Sequence, residues 1–147
     1  MSFIKLGFFC FFCLMVGFVQ PVLANTQTQN ESTIKVVENP KLGKILTDNK
    51  GKTLYMFTPD KNSTSECYDQ CAVAWPPLLV SSGQPVLAQG IVGTIGTTTR
   101  KDNTRQVTYN GMPLYYYAKD KNPGDVTGQN VENKWFVVNP KSHSNNR

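Results

Sequence analysis

Tyr55-Met56-Phe57-Thr58-Pro59-Asp60 and Tyr115-Tyr116-Tyr117-Ala118-Lys119-Asp120 each set a tyrosine five residues ahead of an aspartate. A phenol and a carboxylate at that spacing offer a hydrogen-bonded pair, a general acid or base, or oxygen ligands for an ion. Cys67 and Cys71 are the other reactive pair, the two cysteines that lie outside the N-terminal apolar stretch. They can form a disulfide, exchange electrons as a dithiol, or hold a soft metal ion.

Residue types for other reactions are scarce. His143 is the single histidine and lies in a polar tail, so a Ser-His-Asp triad, a zinc site or a histidine base is hard to build. The glycines of Gly90 to Gly96 are not closed by Lys-Ser or Lys-Thr, as a phosphate loop requires. Asp60, Asn62, Thr64 and Glu66 alternate like calcium ligands. Yet Ser65 stands where the calcium loop needs glycine, and Cys71 where it needs a bidentate glutamate. Three residues separate Cys67 from Cys71, one more than a thioredoxin-like motif uses, and no histidine follows for haem attachment. Met56 and Met112 could complete a copper site but have no fixed sequence relation to the cysteines. No catalytic residue, no metal site and no cofactor are assigned.

The N-terminus bounds the compartment. Lys5 precedes an apolar run from Leu6 to Val19, too short for a comfortable membrane span, and Val22-Leu23-Ala24 fits a cleavage site. Residues 1–24 therefore read as a signal peptide. Cys10 and Cys13 follow phenylalanines inside the apolar run, so a lipid anchor is not expected. Export to the periplasm or beyond makes a Cys67–Cys71 disulfide the default expectation. The formal net charge of +5 comes largely from scattered lysines, with no basic block, so nucleic acid is not implied. No later apolar segment is long enough to span a membrane once the signal is removed.

These side chains need elements to place them. Residues 25–32 read as a flexible leader and 141–147 as a polar tail. Between them, short runs rich in Val, Ile, Thr and Tyr are broken by Gly, Pro and Asn, which predicts strands and turns. Strands are expected at 33–37, 43–47, 52–58, 105–109, 112–118 and 135–138, with an extended return at 78–80. Asn110-Gly111 predicts a type I′ hairpin turn. Pro113 should begin its strand or lie at an edge. Ser65 to Trp75 spaces Cys67, Cys71 and Trp75 at intervals of four. It predicts a two- to three-turn helix, capped by Ser63 or Ser65, stopped by Pro76-Pro77 and packing its apolar side on the sheet.

The two tyrosine motifs belong to a longer duplication. At a step of 60 residues, Gly51, Leu54, Tyr55, Asp60, Lys61, Asn62 and Trp75 meet identical residues at 111, 114, 115, 120, 121, 122 and 135, and Phe57 meets Tyr117. Two copies are too few for a solenoid, so they are expected to share one core about an approximate two-fold axis. The predicted fold is mainly β: a small antiparallel β domain of two pseudo-symmetric repeats plus one short helix. It occupies 33–140, with repeats at about 45–79 and 105–139.

The chain resembles the secreted-repeat family of bacterial envelope proteins with a Y-x-[FWY]-x-x-D motif. The resemblance rests on both tyrosine motifs, on Cys67-Tyr68-Asp69-Gln70-Cys71-Ala72-Val73-Ala74-Trp75-Pro76-Pro77-Leu78, and on Gly124-Asp125-Val126-Thr127-Gly128-Gln129 before Trp135. It implies an exported protein and leaves activity open, since members are mostly of unknown function. Members are usually lipid-anchored, and this chain departs from them by lacking a lipobox.

Tyr55, Phe57, Asp60, Tyr115, Tyr117 and Asp120 can be architectural, each aspartate closing a turn on its own downstream amides. They can also line a site for a ligand or ion. Trp75 and Trp135 are expected in the core or an interface. The leading function is a non-enzymatic envelope module that binds a partner protein or small ligand. A redox or metal-handling accessory using Cys67 and Cys71 is the alternative, and a structural protein with no discrete ligand is a third.

Overall fold

The computed structural model describes residues 33–61 and 63–140. Residues 1–32, expected to hold a signal peptide and a leader, the expected tail 141–147 and Asn62 lie outside the described residues. Nine strands and one helix follow one another as β1 (Thr33–Asn39), β2 (Gly43–Thr47), β3 (Tyr55–Phe57), α1 (Asp69–Ala74), β4 (Leu79–Val80), β5 (Val86–Leu87), β6 (Ile95–Thr99), β7 (Arg105–Tyr109), β8 (Met112–Pro113) and β9 (Trp135–Val137). Hydrogen bonding joins them in the orders β2-β1-β5, β3-β9 and β4-β7-β6, with β8 on β7. All pairings are antiparallel except that of β1 with β5. The fold is mainly β, as its alternation of β-branched residues and turn residues predicts.

Turn chemistry sets the registers. Asn110 and Gly111 both take positive φ, 49° and 78°, and connect Tyr109 to Met112. This is the two-residue turn that the Asn-Gly pair predicts. Its counterpart in the first repeat is one residue longer. There Asp48 accepts the amides of Lys50 and Lys52 on Oδ1, and Gly51 turns the chain at φ 82°. Before these turns the repeats correspond at a step of 61, so that Ile34, Leu46 and Thr47 match Ile95, Val107 and Thr108. The β1–β2 and β6–β7 registers obey that step. Beyond the turns the step is 60.

The repeats do not sit side by side as closed units. Tyr55 and Tyr115 pair with each other, amide to carbonyl in both directions at 2.8 and 3.0 Å. A residue that pairs with its own repeat mate marks the pseudo-two-fold axis. Outward from it, Tyr55 faces Val137 and Tyr115 faces Pro77. The last strand of each repeat therefore completes the other. Val138 donates to Leu54 while Leu46 donates to Val138; likewise Leu78 donates to Leu114 while Val107 donates to Leu78.

Because side chains alternate along a strand, each aromatic segment feeds two cores. Leu54 and Leu114 enter an aliphatic cluster with Ile34, Leu46, Leu78, Val107 and Val138, and Met56 and Tyr116 pack on it. Tyr55, Tyr115 and Tyr117 enter an aromatic cluster with Cys67, Trp75, Trp135 and Val137. There Phe57, Trp135, Trp75 and Tyr117 form a continuous four-ring stack with centroid spacings of 4.2, 3.9 and 4.0 Å. Tyr55 and Tyr115 stand edge-on to Trp75 and Trp135 at 5.3 and 5.2 Å. Each such contact contributes about 0.5–1.5 kcal/mol beyond the area it buries.

The helix departs from the sequence expectation. It covers six residues, starts after Tyr68 rather than at Ser65, and has no side-chain cap. None of its residues is fully buried, and Val73 is 66% exposed. Cys67 and Trp75, which were expected to define its apolar face, flank it and enter the core from outside the helix. The strands expected at 52–58 and 112–118 are also shorter. In the first, only Tyr55–Phe57 stays in a ladder, with β9; in the second, Tyr115 makes isolated bridges to Tyr55 and Pro77.

Gly128 lies against the aromatic cluster, and a Cβ there would stand 2.7 Å from Trp75 Cη2 and 2.8 Å from Tyr55 Cε1. Gly128→Ala is therefore expected to lower the unfolding free energy by about 1–3 kcal/mol, the range for overpacking a core. Urea denaturation followed by tryptophan fluorescence measures it, and a variant as stable as the parent contradicts the packing described.

Candidate functional site

The sharp turn after each aromatic strand brings the motif carboxylates inward. The amides of Asp60 and Asp120 donate to the carbonyls of Phe57 and Tyr117 at 3.0 and 3.1 Å, and both aspartates are 4% exposed. Each carboxylate then meets the tyrosine of the other repeat. The Tyr55 hydroxyl donates to Asp120 Oδ2 at 2.6 Å, and the Tyr115 hydroxyl donates to Asp60 Oδ2 at 2.7 Å. The second oxygen serves the local turn. Asp60 Oδ1 accepts the Glu66 amide at 2.8 Å, and Asp120 Oδ1 accepts the Thr127 amide at 3.0 Å. The motif is thus a reciprocal clamp, with every carboxylate bridging its own loop to the opposite repeat.

Burial above all holds both phenols far above the usual tyrosine range, so they remain donors. Burial also raises Asp60 above the usual 3.8, against the lowering pull of the Glu66 amide, the Tyr115 hydroxyl and Arg100.

The two ends of the clamp differ in what surrounds them. Around Asp60, Ser65 Oγ lies 2.8 Å from the Tyr115 phenolic oxygen. The Tyr115 proton goes to Asp60, so Ser65 donates there. Arg100 is buried beside it and donates from Nη1 to Ser65 Oγ and Gln106 Oε1 at 2.8 and 2.7 Å, and from Nη2 to the Cys67 carbonyl at 2.7 Å. Its guanidinium sits 4.4 Å from the Tyr68 ring centre. Its Nε has no hydrogen-bond partner, and Asp102 Oδ2 stands 3.9 Å away. Around Asp120 no cation among the described residues takes this role. Thr127 donates its hydroxyl to Oδ1, and the Gly128 amide donates to the Tyr55 oxygen at 3.2 Å.

Cys67 and Cys71 are joined in a disulfide with Cα atoms 5.3 Å apart. Cys67 is fully buried in the aromatic cluster and Cys71 packs on it. The bridge fixes the chain whose carbonyl Arg100 grips. Met56 and Met112 come together elsewhere, in a hollow of about 390 Å³ with Tyr109, Val137 and Val138 that neither cysteine lines. The matching place in the other half holds Tyr116, hydrogen-bonded to Asp48 Oδ2 at 3.1 Å under the Lys52 ammonium. Among the described residues no three of His, Cys, Asp and Glu gather at one point.

Sequence reasoning placed Tyr55, Asp60, Tyr115 and Asp120 in one motif but did not see that each tyrosine serves the other copy. Ser65, Arg100, Gln106 and Gly128 were missed as its partners. Gln106 carried a signal, an amide at an inward position of the alternating run Arg105 to Tyr109. Arg100 carried none: it occupies the hairpin position where the first repeat has Asn39.

A hydrogen bond from a neutral donor to a buried charged group contributes about 1.5–3 kcal/mol. A double-mutant cycle of Tyr55→Phe with Asp120→Asn is expected to show a coupling energy of at least about 1 kcal/mol by chemical denaturation. Additive effects would mean that the bond carries no stability. A second expectation concerns pH. The raised pKa of Asp60 means that the native state holds its proton more tightly than the unfolded chain. Its contribution is complete below 3.8 and is lost as pH rises through the native value. The stability difference between the parent and Asp60→Asn should therefore grow in the parent's favour as pH is lowered from 7 towards 4 (the region above 3.8). A difference that shrinks on acidification reverses the sign.

No curated protein and no solved structure matches the chain. A family model described as a secreted repeat of unknown function matches residues 36–79 and 96–139. The step from 36 to 96 equals that from 79 to 139, the 60-residue period of the duplication. Each match also reaches back into the hairpin that precedes the tyrosine motif. With both repeats matched over most of the described residues, the chain belongs to this family of secreted repeats.

Proposed function

We propose that this protein is an exported, non-enzymatic interaction module of the cell envelope, acting in the periplasm or outside the cell without a lipid anchor. One observation carries the reading: the side chains best suited to chemistry are spent inside the protein. Both motif carboxylates are 4% exposed and bonded to tyrosines and loop amides. Both tryptophans lie within a ring stack, and the disulfide is half-sealed in the same cluster. A general acid or base needs reach to a substrate proton, and these groups lack it. The family's description as secreted supports export. What remains for function is the outer surface that this interior holds in shape.

The reading is tested by photo-crosslinking in the intact envelope, with the crosslinker placed in turn on exposed positions of each sheet. A discrete protein adduct is expected, and it should persist in the Cys67→Ser/Cys71→Ser variant, provided that the variant is folded by circular dichroism. An adduct that disappears in that folded variant points to the dithiol as the functional group. The absence of any adduct from every position removes the interaction reading.

A further inference from the structure

The pseudo-two-fold axis matches the two hairpins residue for residue, and the match exposes one difference. At a step of 61, Ile34 of β1 corresponds to Ile95 of β6. The outer edge of β1 is covered: β5 adds to it as a parallel strand, Thr33 facing Val86 and Ile34 facing Leu87, and the Ala88 amide donates to the Ile34 carbonyl at 2.8 Å. Among the described residues no strand lies on the outer edge of β6, which is the terminal strand of its sheet.

The register shows which groups are free. Asn110 donates to the Thr94 carbonyl and Arg100 donates to that of Thr104, at 2.8 and 2.9 Å. Alternation along an antiparallel pair then turns Gly96 and Thr98 towards β7, and turns Ile95, Thr97 and Thr99 outward. The outward carbonyl of Ile95 is the counterpart of the one that β5 engages. Edges that must stay unpaired are usually guarded by charge or proline. From Ile91 to Thr99 the chain has neither.

We propose that the free edge of β6 takes an extended segment of a partner protein, added as a parallel strand in the register that β5 uses on β1. The internal strand indicates what fits. Val86 is β-branched, and Leu87 turns partly inward onto the aliphatic cluster, where Ile95 also packs. The expected partner segment is thus extended, uncharged over its paired residues, and aliphatic at the position next to Ile95. Main-chain bonds supply the affinity and that one side chain supplies selectivity. The proposal rests on the interaction-module reading and names its surface.

The probe is a peptide of this chain's own β5 region, Ser81 to Gly90, titrated into the isotope-labelled mature protein, with a scrambled peptide as control. The amides of Ile95, Thr97 and Thr99 are expected to shift and to gain protection from hydrogen exchange, while those of Gly96 and Thr98 stay as they were. Thr97→Pro removes an outward amide together with the hydroxyl that accepts from Arg105 Nη2 at 3.2 Å on the sheet face, and Thr99→Lys places a charge at an exposed edge position. Both should abolish the effect with an unfolding midpoint close to the parent's. Thr98→Pro, which breaks the β6–β7 ladder, should lower that midpoint. Shifts confined to another surface, or none at millimolar peptide, overturn the proposal. So does protection of the same amides without peptide that rises with protein concentration, which would make a second copy the occupant. A crosslinker at Thr97 separates the two levels. Adducts elsewhere but none from Thr97 remove the edge and leave the interaction reading, whereas no adduct from any site removes both.

Discussion

A carboxylate shut away from water must be met by donors, or its burial costs several kcal/mol. The architecture can be understood as the answer to that demand, made twice. Asp60 and Asp120 draw donors of two kinds, first those of their own loops and second a phenol of the opposite repeat. The second donor fixes how the halves meet, because a phenol rooted in one strand reaches the far carboxylate at a single relative placement. The self-pairing of Tyr55 with Tyr115 follows, since both phenols leave the same short central segment. The motif binds, but what it binds is its own twin.

The ring stack uses the same geometry for a different end. Four rings lie face to face across the axis, with Tyr55 and Tyr115 closing it edge-on. This suits the aromatic quadrupole, which favours edge-on closure where face contacts accumulate. The asymmetric additions cluster at the Asp60 end, where the disulfide, Arg100 and Tyr68 have no counterpart around Asp120. Replacement of Asn39 by an arginine at the matching hairpin position brings a buried cation; the neighbouring carbonyl, serine and glutamine accept from its two Nη atoms, and its Nε stays without a partner.

Much of this was legible from residue types. The duplication, the β class, the Asn-Gly turn and the division of Tyr55 and Phe57 from Leu54 and Met56 all follow from spacing and alternation, which act locally. The helix was overread because Cys67, Cys71 and Trp75 repeat at a helical interval. Cys67 is placed by Ser65, which is pinned in turn by Tyr115 and Arg100, and those contacts come from distant parts of the chain. The crossing of each tyrosine to the other copy was invisible for a deeper reason. A perfect repeat gives identical local signals whether its copies close on themselves or exchange strands. Even the step of the duplication concealed a detail, since a one-residue difference in turn length moves the hairpins from 60 to 61 without disturbing either core.

The exchange of final strands also governs when the molecule can become itself. Trp135 to Val137 form the partner strand of β3, and Val138 bonds Leu46 and Leu54, so the first half has an open seam until the end of the chain arrives. A polypeptide that crosses a membrane with its N-terminus leading delivers those residues last. The early half waits without its closing strand, and the contacts that lock it span about 80 residues (Val137 against Tyr55), a separation that slows folding. In a chain delivered N-terminus first, the closing contacts of the first half therefore form only after Trp135 to Val137 have emerged.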